Sequence, residues 1–144
     1  MSVSLQKGQK VSLTKEGQEG LNQVIVGLGW DEAQANKGGL LGGLFGSKPQ
    51  AIDCDASALM LRGGRLLDGK DIIYFGNLQH PTGAVRHMGD NLTGAGAGDD
   101  EQIVIQLQQV PAEYDRIVFV VNIYQAVQRN QHFGMIRNAF IHIM

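Results

Sequence analysis

Residues 89–101 read GDNLTGAGAGDDE and gather the residue types best able to do chemistry: the carboxylates of Asp90, Asp99, Asp100 and Glu101, the amide of Asn91 and the hydroxyl of Thr93. All are hard oxygen donors. Calcium takes about 6–8 such oxygens at ~2.3–2.6 Å, from carboxylates, amides and backbone carbonyls. Gly94, Gly96 and Gly98 alternate through the run, so the backbone can curl and turn its carbonyls toward one point. The same glycines superficially suit a phosphate cradle. Such a cradle needs a lysine or a helix N-terminus to meet the anion, whereas here the glycines run into Asp99, Asp100 and Glu101. Three adjacent carboxylates repel phosphate, and nucleotide binding by this loop is rejected. The spacing is not that of an EF-hand, and the plain alternative is a solvated acidic surface loop.

A second acidic element changes that balance. In 52–59, Asp53, Asp55 and Ser57 alternate with Ile52, Cys54, Ala56 and Ala58. On a strand the two sets fall on opposite faces. Two carboxylates on one face repel each other unless solvent or a cation intervenes. Asp31, after Gly27-Leu28-Gly29-Trp30, is a third candidate ligand, and Asn77 a weaker, neutral one. His80, His87, His132 and His142 show no metal-ligand spacing, and the acids suit calcium rather than zinc. Cys54 is the only cysteine, which rules out an internal disulfide. Its alternation with the aspartates predicts a core-facing thiol that behaves as a small hydrophobe. Trp30 reads as a core anchor.

The elements that must hold these residues are strands. Twenty of the 144 residues are glycine, about twice the usual share of ~7%, which favours tight turns over long helices. Ile103, Ile105 and Leu107 alternate with polar partners, and 115–123 is a β-branched, aromatic run long enough to be buried on both faces. Residues 136–144 alternate again. Shorter strands are predicted at 3–5, 11–13, 24–28, 52–61, 71–75 and 84–88. Only 124–131 looks helical, for one or two turns, and 110–114 reads as a turn. This pattern predicts an all-β, two-sheet β-sandwich with glycine-rich loops and at most one or two short helices. Segment 34–50 breaks it: QANKGGLLGGLFGSKPQ is expected to be a flexible, glycine-rich inserted loop, and its leucines could mark a contact surface. Net charge is −2 with a pI near 6.0, which argues against nucleic acid and anionic membrane. The start lacks a secretory signal, and no run approaches the ~18 apolar residues of a membrane span. A cytoplasmic location is the expectation.

The order GLGWD (27–31), IDCDASA (52–58), GDNLTGAGAGDDE (89–101), VPAEYDRIVFVVNI (110–123) and HFGMIRNAFI (132–141) closely resembles the TerD-type tellurium-resistance and stress-response proteins. The N-terminal MSVSLQKGQKVSLTK is similar too. The resemblance covers the whole chain except 34–50, so 1–144 is expected to be one such domain. It implies a non-enzymatic β-sandwich that binds one or two calcium ions. It assigns metal-ligand roles to Asp31, Asp53, Asp55, Asp90, Asn91, Thr93, Asp99, Asp100 and Glu101, with the carbonyls of Gly94 and Gly96. Cys54 stands where the family usually has leucine, and 34–50 is longer and more apolar than its family counterpart. Members commonly continue some tens of residues further, which implies truncation at the C-terminus and an exposed edge at 137–144.

The resulting expectation is a module in which calcium orders loop 90–101 against the Asp53/Asp55 strand and forms a surface for protein partners of a stress-response complex. The alternatives are a metal-dependent hydrolase using the same carboxylates, and an interaction or self-association module with 34–50 as its contact surface.

Overall fold

The computed structural model describes residues 6–10, 12, 21–32, 50–89 and 98–143. Seven strands form within them: β1 (Gln23–Glu32), β2 (Cys54–Leu61), β3 (Ile72–Ile73), β4 (Val85–His87), β5 (Glu101–Gln106), β6 (Arg116–Ile123) and β7 (Ile136–Ile143). They make two antiparallel sheets, one ordered β4-β5-β1-β7 and the other β3-β2-β6. The β-sandwich architecture predicted from alternation is present. The strands predicted at 3–5 and 11–13 lie outside the described residues except for Ser12, as does the 34–50 loop except for Gln50.

Alternation builds the core. Val26, Leu28 and Trp30 of β1 point inward with Ile103 and Ile105 of β5 and Val85 of β4. They meet Cys54, Ala56, Ala58 and Met60 of β2, Ile73 of β3 and Ile123 of β6. Trp30 anchors this layer, its indole Nε1 donating to the Ile52 carbonyl at 3.1 Å.

Two expectations need correction. Residues 124–131 form a chain of turns, not a helix. Gln125 and Asn130 adopt φ of 50° and 52°, a left-handed conformation that a right-handed helix cannot contain. Residues 116–123 are not buried on both faces. β6 closes one edge of its sheet, and Val120 is 40% exposed. β7 is likewise outermost in its sheet among the described residues. It carries a bulge opposite Trp30, where the register shifts between Gly29 and Asp31 and Asn138 takes φ 51°.

Candidate metal centre

β5 begins with the last of the acidic residues. The Asp100 amide donates to the Leu28 carbonyl at 2.7 Å, and its carboxylate accepts from the Trp30 amide at 2.9 Å. Glu101, next in sequence, reaches the other sheet, where Oε2 accepts from the Ala56 amide at 2.7 Å. That amide lies on the edge of β2 that β3, paired only at Ala58 and Leu59, does not reach. Adjacent carboxylates therefore fasten both layers of the sandwich. His87 of β4 approaches the same group, its Nε2 3.5 Å from Glu101 Oε2.

The Asp53/Asp55 side of β2 is not a solvated face: Asp53 is 5% exposed and Asp55 2%. Asp55 lies opposite Asn122 of β6, whose amide donates to its carboxylate at 3.4 Å, and the Asp53 carbonyl accepts from the Tyr124 amide at 2.8 Å. Burial, then the charges of Asp53, Asp55, Glu101 and Asp100, push the Cys54 thiol up to about 12. The four carboxylates come from two distant segments of sequence, and all lie close enough to Cys54 for their charge to reach it. A thiol so placed is inert rather than nucleophilic.

Other candidates are placed elsewhere. The Asp99 carboxylate packs on Gly27 of β1, where any Cβ would collide with it. It accepts from Gln102 Nε2 at 3.2 Å and pairs with His142 Nδ1 of β7 at 2.9 Å. Asp31 accepts from Asn138 Nδ2 at 2.8 Å. Since Val26, Leu28 and Trp30 point inward, Gly27 and Asp31 belong to the outer face of the four-stranded sheet. Asn77 closes a tight turn with Tyr74, its amide nitrogen donating to the Ile72 carbonyl at 2.7 Å. Asp90, Asn91, Thr93, Gly94 and Gly96 lie outside the described residues. Among the described residues, no group of three or more His, Cys, Asp and Glu side chains is assembled to hold a metal ion.

Just beyond the far end of β2 lies a polar network that the sequence did not reveal. Buried Asp71 accepts from the Tyr114 hydroxyl at 2.7 Å and pairs with His80 Nε2 at 3.0 Å and an Arg62 guanidinium nitrogen at 3.1 Å. Burial alone would raise the Asp71 carboxyl, but the bonds from Tyr114 and His80 and the Arg62 charge outweigh it and hold the group below its ordinary range. The bond to Asp71, helped by burial, pushes the Tyr114 phenol up to about 12. The network joins the connectors flanking β2, β3, β4 and β6.

The TerD domain matches residues 1–144 of the chain. The chain belongs to the TerD family. It is 56% identical over 144 residues to the stress response protein SCP2 of Bacillus subtilis (strain 168), covering all of this chain and 71% of that one. It is 44% identical over 145 residues to the tellurium resistance protein TerD of Serratia marcescens, covering all of this chain and 69% of that protein. The TerD fold also appears in a solved homologue of a telluride resistance protein from Streptomyces coelicolor A3(2), with TM-score 0.63 and 22% identity. That match spans 86% of this chain and 66% of the other, just under two thirds of its length. No helix among the described residues is long and apolar enough to cross a membrane.

Proposed function

We propose that this TerD-family chain is a non-enzymatic, calcium-binding module of a stress or tellurium-resistance response. The supporting observation is the burial of Asp53, Asp55 and Glu101, which are 5%, 2% and 2% exposed, with Glu101 crossing to the Ala56 amide of the same segment as the two aspartates. Carboxylates buried in this way carry a desolvation cost that a divalent cation offsets. The donors are carboxylates, which fit calcium rather than a soft metal. Asp90, Asn91 and Thr93, with the carbonyls of Gly94 and Gly96, would complete the oxygen set, while Asp31 and Asp99 serve a second ion or the outer sheet face. The ion would lower the repulsion between β2 and the acidic loop and order a surface that protein partners recognise.

A ligand held by the folded state alone stabilises it by RT ln(1 + [L]/Kd), about 2.7 kcal/mol at 100 Kd. Thermal melts in calcium against EDTA, with calorimetric titration, test the reading. Wild type should melt higher in calcium, and the increment should shrink in Asp55→Asn and Glu101→Gln, which keep shape and hydrogen-bond acceptors but lose charge. Identical melts and no heat of binding would refute it.

A further inference from the structure

The chain entering β2 is held by the turns that follow β6. The Tyr124 amide donates to the Asp53 carbonyl at 2.8 Å, and Gln131 Nε2 donates to the Gln50 carbonyl at 2.9 Å. Aromatic rings gather at this junction. Tyr124 meets Phe75 edge to face with centroids 5.8 Å apart, and Phe75 meets Tyr74 in the same manner at 5.2 Å. Both rings of the first pair remain open to solvent, Phe75 at 41% and Tyr124 at 36%. Arg129 lies over the Tyr124 ring, 5.2 Å from its centroid. With its side-chain amide oriented to match, Gln50 Oε1 accepts from Arg129 Nε at 3.2 Å and from Nη2 at 3.3 Å. Gln50 thus fixes the guanidinium without neutralising it, and Arg129 pairs with no carboxylate among the described residues.

We infer that Phe75, Tyr124 and Arg129 form a docking surface for a peptide segment of a protein partner. The segment sets an aliphatic or aromatic side chain on the two rings and a carboxylate against Arg129. Tyrosine, phenylalanine and arginine are enriched where interfaces are strongest. Rings and a guanidinium already held in place lose little freedom on binding. Charge selects the ligand. Arg129 is a single fixed cation on a chain of net charge −2, and Asp53 is one hydrogen bond from Tyr124. Such a place suits one carboxylate and repels a polyanion such as nucleic acid. The Tyr124–Asp53 bond also ties the patch to the candidate metal centre; that link rests on the calcium reading, and the docking surface does not.

Random peptides displayed on phage are the probe, selected on the full chain in calcium with counter-selection on the Arg129→Glu, Phe75→Ala double variant. Enriched sequences should place Asp or Glu beside an apolar residue. A synthetic peptide of that kind should bind each single variant at least about tenfold more weakly than wild type. Changing its acid to lysine should restore binding to Arg129→Glu, a gain that a folding defect could not produce. No enrichment, enrichment of basic sequences, or no rescue by the charge swap would overturn the surface. In EDTA the peptide should bind wild type about fivefold or more weakly. Equal affinity in calcium and EDTA, in a chain shown by calorimetry to bind calcium, would overturn the link to the metal centre. A chain that binds no calcium fails the metal reading, and the selection and charge swap still decide the surface.

Discussion

At the scale of single residues, Asp71 and Tyr114 carry the most readable energetics. Removing one partner of a buried charge pair leaves the other uncompensated, typically at about 3–5 kcal/mol. Asp71→Ala strands His80, Arg62 and Tyr114 at once, and urea denaturation should show a loss of that size. Tyr114 adds an alkaline signature. Its phenol titrates near 12 when folded against an ordinary 10.0, so the folded form keeps a proton that the unfolded chain gives up. The stability from its bond to Asp71 is complete below pH 10 and is lost as pH rises toward 12. Tyr114→Phe should cost about 1 kcal/mol at neutral pH and flatten that alkaline fall, as followed by circular dichroism. None of this network could be found by spacing. Tyr114 lies 43 residues from Asp71, and a lone histidine among turns carries no local signal of a partner. The carboxylates were legible as donors because they cluster in sequence. Their burial was not, since alternation shows which face a side chain takes and not what covers it.

At the scale of elements, period two located β2, β5 and β7, and it was sharpest for β2 and β5, whose inward faces are apolar apart from Glu101; β6 was legible from its β-branched run. The sequence pattern failed for the burial of β6, whose unbroken apolar run suits a central strand, yet which takes an outermost position that only pairing reveals. It also failed at 124–131, where two left-handed residues interrupt what looked helical. The two glycines inside β1 make room for side chains from other strands and segments. Gly27 is the floor on which Asp99 lies and Gly29 the floor for the Phe140 ring. Gly27→Ala should displace Asp99 from the sheet and break its bridge to His142, at about 1–3 kcal/mol as for other overpacked sites. Gly69 meets nothing within 4 Å, so Gly69→Ala should stay within about 0.5 kcal/mol. Chemical denaturation of the pair would show whether Gly27 matters for space or only for chain flexibility.

At the scale of the molecule, two sheets share one core while β6 and β7, each eight residues long, are the outermost strands among the described residues. Ile141 and Ile143 are 52% and 51% exposed. Long apolar edges invite pairing with other chains. Val120→Lys combined with Ile141→Lys should therefore reduce concentration-dependent light scattering while leaving the melting temperature nearly unchanged; equal scattering would show that these edges do not drive association. The fastening of the layers has a separate consequence for how the chain tolerates changes of length. Asp100 and Glu101 each cap an amide of a different sheet, and side chains in a strand exchange faces with every one-residue slip. A single residue inserted between Asp100 and Glu101 would break the adjacency that sends one carboxylate to each sheet and leave one of the two amides unmet. Changes of length in this protein therefore cannot fall inside that pair.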